Sequence, residues 1–217
     1  MRDEQRLDFR LYLITDRRMM THHASLITGV REALKGGVRA IQLREKDLST
    51  KELLGLAYKM RELTKRYNAR LFINDRLDIA LAVGADGVHL TQRSVPVDAV
   101  RKAIDASRFL IGVSTHSLRE AQEAQKGGAD FITFGPVFRT PSKLRYGSPL
   151  GISMLKKISE KTRLPVFAIG GIKSKRIEKV MRAGAYGVAM ISEIFAAEDI
   201  QKKAKECIQI IQSVQAG

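Results

Sequence analysis

The residues of this chain able to do chemistry gather into short polar runs, and the richest follows the apolar stretch Phe131-Ile132-Thr133-Phe134. That stretch reads as a strand buried on both faces. It breaks at Gly135-Pro136 and opens into a loop bearing Arg139, Thr140, Ser142, Lys143 and Arg145. Hydroxyls, exposed N–H groups and fixed cations in one loop suit phosphate, although a solvated basic loop is the plainer reading of these residues alone. Comparable runs are Gln42, Arg44, Glu45 and Lys46; Asn74, Asp75 and Arg76; Thr91, Gln92, Arg93 and Ser94; and Ser114, Thr115 and His116. Gly170-Gly171 and Ile191-Ser192 complete the set. Arg44 and Lys46, two apart, would share a face if a strand reached that far. An arginine can grip phosphate through two parallel hydrogen bonds, and a lysine adds a point charge. At Gly170-Gly171 the backbone could approach a ligand closely, and a helix N-terminus there would favour an anion.

Asp75 is a hard carboxylate of the kind Mg²⁺ uses together with substrate phosphates and water; the alternative is an N-cap for a helix starting near residue 76. His89, inside an apolar run, reads as a satisfied core histidine. His116 divides between a site residue and a place at the start of the next helix. His22 and His23 are adjacent, not four apart, and suggest no metal.

The elements that must position these residues are short. Apolar runs at 9–15, 39–44, 70–74, 87–90, 109–115, 131–135, 165–170 and 187–192 read as buried strands. Helical periodicity separates them, most clearly over 49–67, where Leu53, Leu56, Ala57, Met60, Leu63 and Tyr67 recur behind a Ser49/Glu52 capping box. Ser117 and Glu120 repeat that signature before a helix at 117–126. The last helix aligns Ile200, Ala204, Cys207, Ile211 and Val214, which makes Cys207 a core residue, not a nucleophile. Four segments, LKGGVRAIQL, LAVGADGVHL, QKGGADFITF and MRAGAYGVAM, run from a helix end through glycine into a strand. They recur about every 45–55 residues, the length of two βα units. Eight strands alternating with helices predict an α/β fold, a (β/α)8 TIM barrel, as one domain over residues 1–217 with a short extension at 1–8. An open doubly wound sheet is the alternative. In the barrel, all the polar runs fall at the C-terminal ends of strands, the working face of that architecture.

Composition narrows the classes. The net charge of +15 suits nucleic acid or small anions, but Lys and Arg are interleaved with Glu and form no basic block or aromatic RNA-reading motif, which argues against nucleic acid. No apolar run approaches the roughly 18–20 residues that span a membrane. The charged start MRDEQRLDF has no signal core, and a single cysteine cannot build a disulfide framework, so the expected location is the cytoplasm.

Taken in order over roughly 10–195, LYLIT, IQLREK, IND, GADGVHL, GVSTH, FGP with TPSK, AIGGI and GVAMIS resemble the thiamin phosphate synthase family. The resemblance implies a barrel enzyme that joins hydroxymethylpyrimidine diphosphate to a thiazole phosphate and releases pyrophosphate, with Mg²⁺. It implies Gln42, Arg44, Lys46 and Asn74 as contacts to the diphosphate-pyrimidine and Asp75 on the metal. Ser114, Thr140, Ser142 and Lys143 would hold pyrophosphate; Gly171, Ile191 and Ser192 would hold the thiazole phosphate. The resemblance implies Lys143, Ser114 and Arg44 as the catalytic residues. Partners are then phosphorylated pyrimidine and thiazole molecules, with no nucleic acid and no membrane; a homo-oligomer is a permitted state. Two departures stand out. The family's second acidic metal ligand after VHL is replaced in the run Gln92-Arg93-Ser94, where Arg93 could supply charge in its stead. The sister group, the thiazole tautomerases, resembles the chain there but places a histidine after the FG of strand six, where this chain has Pro136. The Thr140-Pro141-Ser142-Lys143 loop favours the synthase over the tautomerase or a non-catalytic phosphate binder.

Overall fold

The computed structural model describes residues 7–20, 25–104, 109–140 and 148–216. Among them are the strands β1 (Leu11–Ile14), β2 (Ala40–Leu43), β3 (Arg70–Asn74), β4 (Gly87–Leu90), β5 (Leu110–Thr115), β6 (Phe131–Phe134), β7 (Val166–Ile169) and β8 (Gly187–Met190). Each pairs in parallel with the next, and β8 returns to β1, so the sheet closes. Every strand lies within the run expected for it, and closure rules out the open doubly wound sheet. The intervening helices are α1 (Leu26–Lys35), α2 (Thr50–Arg66), α3 (Leu77–Ala82), α4 (Val97–Ala103), α5 (Leu118–Gly127), α6 (Gly151–Lys161), α7 (Ile177–Arg182), the short α8 (Ser192–Phe195) and α9 (Ile200–Ala216). None of the described helices is long and apolar enough to cross a membrane. Of the extension expected at 1–8, Leu7 and Asp8 are described, and Leu7 is buried beneath the barrel.

The four glycine signals act as read. Gly37, Gly84, Gly128 and Gly184 take φ of +101°, +60°, +93° and +92°, a region open to glycine without a Cβ penalty. The residue after each donates back to the preceding helix, Val38 to Ala33, Ala85 to Ala80, Ala129 to Ala124 and Ala185 to Val180, and the chain turns straight into the next strand. The Ser49/Glu52 capping box is complete. Its repeat is half realised: Ser117 accepts from Glu120 N, but the Glu120 carboxylate turns to His116 and Gln92. Cys207 is fully buried, as the stripe on α9 required.

Strand alternation decides what the barrel holds. Tyr12, Phe72, Phe131 and Phe167, from four different strands, meet Phe9 in a packed aromatic floor with ring centroids 5.3–6.0 Å apart. Glycines opposite make room for the rings: a Cβ on Gly87 would lie 2.7 Å from Phe72, and one on Gly187 would lie 2.7 Å from Phe167. Two residues beyond Ala40, Phe72, Gly87, Gly112 and Phe131 on their strands stand Gln42, Asn74, His89, Ser114 and Thr133. Hydrophobic floor and polar upper layer therefore follow from one period-two pattern.

Candidate active site

His89 is the hub of that upper layer. It is almost wholly buried. Its Nε2 lies 3.0 Å from Ser114 Oγ and 3.5 Å from Thr133 Oγ1, and its Nδ1 lies 3.4 Å from the Tyr12 hydroxyl. Burial, helped by the nearby Arg44 charge, pushes its pKa down to about 3, so the ring is neutral at ordinary pH. The reading of His89 as a satisfied core residue holds, with the addition that its partners belong to the working end.

Around it the expected residues are arranged as follows. Gln42, the inward residue of β2, is buried. Arg44 follows the end of β2, with its N–H donating to Thr15 Oγ1 at 2.9 Å. The strand stops at Leu43 and Lys46 sits exposed in a turn, so the alternation argument for pairing Arg44 with Lys46 does not apply. Between them Glu45 is buried, accepting from Arg17 N at 3.1 Å through Oε2, while Oε1 has no hydrogen-bond partner among the described residues. Burial raises its pKa.

Asn74 ends β3, and Asp75 follows in the left-handed region at φ +66°. Its N–H donates to His89 O at 2.9 Å, which ties it to the hub. The capping alternative is excluded, because α3 begins at an Arg76 cap with no side-chain cap bond. Arg76 turns instead to Asp78 and Thr50. The Asp75 carboxylate is exposed and makes no hydrogen bond with the described residues.

Beyond β4, Ser94 is spent on its own turn: its Oγ accepts from Thr91 N at 2.7 Å and lies 3.0 Å from Thr91 Oγ1. Arg93 is exposed beside it. No group of three or more His, Cys, Asp or Glu suited to a metal ion occurs among the described residues. His116 resolves to the start of α5, with its N–H and Nδ1 at 2.7 and 3.2 Å from Glu120 Oε2.

After β6, Val137 N donates to Ile169 O and Phe138 N to Gly170 O at 2.9 and 3.0 Å, so this segment runs against the loop after β7. Gly170 and Gly171 take φ of +95° and +64°. Their missing side chains make room for this neighbour: a Cβ would meet Pro136 Cα at 2.6 Å or Arg139 O at 2.7 Å. A 3-10 turn (Ser174–Arg176) follows, not the start of a long helix. Arg176 fastens the contact, donating to Gly171 O at 2.6 Å and lying over the Phe138 ring. Thr140 is half-buried. Ser142, Lys143 and Arg145, like His22 and His23, lie outside the described residues.

Ile191 and Ser192 stand where β8 gives way to α8. Sequence reasoning missed the residue beyond them. Glu193 accepts from Ser174 N and Oγ at 2.9 and 3.0 Å and pairs with Lys173 at 3.0 Å, bracing the loop after β7 to the loop after β8. Thr133 was also missed, although a lone threonine in an apolar run was a signal that one inward position needed a hydroxyl.

A family profile described as thiamine monophosphate synthase matches residues 11–194. A thiamine-phosphate synthase of Clostridium novyi is 42% identical over 204 residues, which cover 94% of this chain and 99% of its own length. A Geobacter sulfurreducens protein that carries the same name provisionally is 51% identical over 209 residues, 95% of this chain and 96% of its own. Among solved structures, a thiamine phosphate pyrophosphorylase from Pyrococcus furiosus matches with a TM-score of 0.87 at 40% identity, over 97% of this chain and 99% of that one. A 3-hexulose-6-phosphate synthase from Salmonella typhimurium, at 16% identity and a TM-score of 0.72, shares the fold alone.

Proposed function

The chain belongs to the thiamine monophosphate synthase family, and on that premise we propose that it couples hydroxymethylpyrimidine diphosphate to a thiazole phosphate, forming thiamin phosphate and releasing pyrophosphate. The observation that carries the reading is a chain of contacts at one barrel end: His89 joins Ser114 through its ring and Asp75 through its carbonyl, with Arg44 near enough to depress its pKa. A neutral hydroxyl, a carboxylate and a guanidinium are thereby gathered over an apolar floor.

These parts suit loss of a diphosphate from an electron-rich pyrimidinylmethyl carbon. That bond can break to leave a carbocation, so the protein needs no nucleophile, only stabilised leaving charge and a held acceptor nitrogen. Arg44, Lys46, Thr140, Ser142 and Lys143 would bind and neutralise the diphosphate, with Ser114 donating to it. Gln42 and Asn74 would orient the pyrimidine. Gly171, Ile191 and Ser192 would hold the thiazole phosphate through backbone N–H groups. A lone exposed carboxylate fits Mg²⁺, which commonly takes one or two carboxylates and completes its shell with substrate phosphate and water. Asp75 would hold it, and Ser94, engaged in its own turn, would not. When bound, the ion would neutralise charge on the departing diphosphate. A buried single thiol is at home in a reducing compartment, and the proposal includes the cytoplasm.

The tautomerase reading needs a proton carrier over the site. Among the described residues His89 is buried and neutral, His116 is engaged with Glu120, and Pro136 stands where that group has its histidine. The synthase reading is tested by supplying both phosphorylated halves with Mg²⁺. Coupling should occur, and Asp75→Ala and Lys143→Ala should each reduce it by on the order of 10²-fold or more. Absence of product at high enzyme concentration, with both substrates shown to bind, would overturn it.

A further inference from the structure

We infer that Tyr12 and His89 form a hydrogen-bond relay whose task is to aim the Ser114 hydroxyl, as a donor, at a diphosphate oxygen; the inference rests on the reading of this barrel end as a diphosphate site. The argument follows the protons from the floor upward. The Tyr12 hydroxyl is fully buried, and its hydrogen-bond partner among the described residues is His89 Nδ1 at 3.4 Å. A buried O–H needs an acceptor, so Nδ1 keeps its lone pair and the ring proton sits on Nε2. Nε2–H then faces Ser114 Oγ at 3.0 Å, its shorter contact, with Thr133 Oγ1 at 3.5 Å. The Thr133 hydroxyl also donates toward Ser114 Oγ at 3.5 Å. Ser114 Oγ therefore accepts from within the barrel, and its own proton is left for a partner on the open side, where Ser114 is half-buried and the layer beneath is closed.

The sequence builds the seat for this ring. Gly112 precedes Ser114 on the same inward face of β5, and a Cβ there would lie 2.6 Å from His89 Nδ1 and 2.4 Å from the Phe131 ring. Register pairs His89 with Gly112, so the imidazole lies where a larger residue would stand. The Nδ1 edge of the ring is held against Gly112 and the Tyr12 hydroxyl. His89 is thus a positioning residue, and Ser114 is the group that touches ligand.

The test is a double-mutant cycle read in two ways: affinity for inorganic pyrophosphate with Mg²⁺ by calorimetry, and kcat for coupling. His89→Leu, which removes the donor, should weaken pyrophosphate binding and lower kcat by nearly the factor that Ser114→Ala does, roughly 10-fold or more. In the Ser114→Ala background it should add less than about twofold, the mark of two residues acting as one unit. His89→Gln, whose amide N–H can reach the place of Nε2, should recover most of the loss. Tyr12→Phe, nearly isosteric, should cost a few-fold that vanishes once Ser114 is alanine, and it keeps the test decisive if His89→Leu does not fold. Independent, multiplying effects of the His89 and Ser114 changes, or a Gln variant as impaired as Leu, would overturn the relay. A wild-type protein that binds pyrophosphate and obeys the cycle but never couples the two halves would leave the relay standing and remove the synthase reading. Coupling with no interaction in the cycle would do the reverse.

Discussion

At the scale of single residues, Asp75 shows what residue type discloses and what it conceals. Its chemistry was legible, a hard carboxylate next to a polar strand end. Its conformation was not: at φ of +66° its N–H donates to the His89 carbonyl, a contact between strands that no local pattern encodes. Aspartate and asparagine tolerate this region better than other side-chain-bearing residues. Asp75→Asn should accordingly leave the thermal midpoint nearly unchanged while abolishing most Mg²⁺-dependent coupling, a split measurable by calorimetry beside an activity assay. A variant of wild-type activity would remove Asp75 from the metal. Ser94 illustrates the converse. The loss of a carboxylate there was visible in the sequence, but its engagement by Thr91 N, which closes the turn with no need of a metal, required the structure.

At the scale of elements, two contacts lock the loops after β6, β7 and β8 into one rim. Gly171 gives its Cβ space to Arg139 and Phe138. Gly171→Ala would add positive-φ strain to a backbone clash, costing about 1–3 kcal/mol and displacing the segment that leads into the Thr140 loop. A melting point lowered by several degrees, with a raised KM for the diphosphate, is the expected result. The second contact is Glu193. Burial alone would raise its carboxyl pKa, but bonds from Ser174 N, Lys173 and Ser174 Oγ outweigh it and hold the pKa below the usual glutamate value. A depressed folded-state pKa means that the unfolded chain takes up the proton first as pH falls. The brace therefore stabilises fully above the ordinary glutamate range near pH 4.5, and its contribution drains away as pH drops through the folded pKa. Glu193→Gln should be less stable than wild type at pH 7, with the gap closing toward pH 3. A gap independent of pH in denaturant titrations would show that the charge is not what braces the rim. Neither contact was legible, since both join side chains or backbone across loops that sequence places apart.

At the scale of the whole molecule, the barrel was readable because each quarter repeats one local instruction, helix, left-handed glycine, buried strand, and closure needs only that the strands pair in order. The polar rim was readable in part for the same reason: strand ends are fixed by the pattern, so residues just past them must share a face. What stayed hidden is how charge is apportioned. The net +15 could not by itself distinguish a surface charge from one aimed at a ligand. In the structure many surface cations are matched along their helices, as in Lys35–Glu32, Arg119–Glu123 and Arg182–Glu178, and Arg93 and Arg139 lie exposed at the barrel mouth. Exposed cations at the mouth would draw in a polyanion over distances beyond contact, and salt screens such attraction over about 8–10 Å near physiological ionic strength. Raising the salt from about 0.02 to about 0.3 M should therefore raise KM for the diphosphate several-fold and leave kcat nearly constant. Arg93→Ala should flatten that dependence, since Arg93 lies exposed beside the Ser94 turn. A kcat that falls in step with rising KM would place the salt effect on the bound complex, and an Arg93→Ala curve superimposable on wild type would show that this cation takes no part in drawing the substrate in.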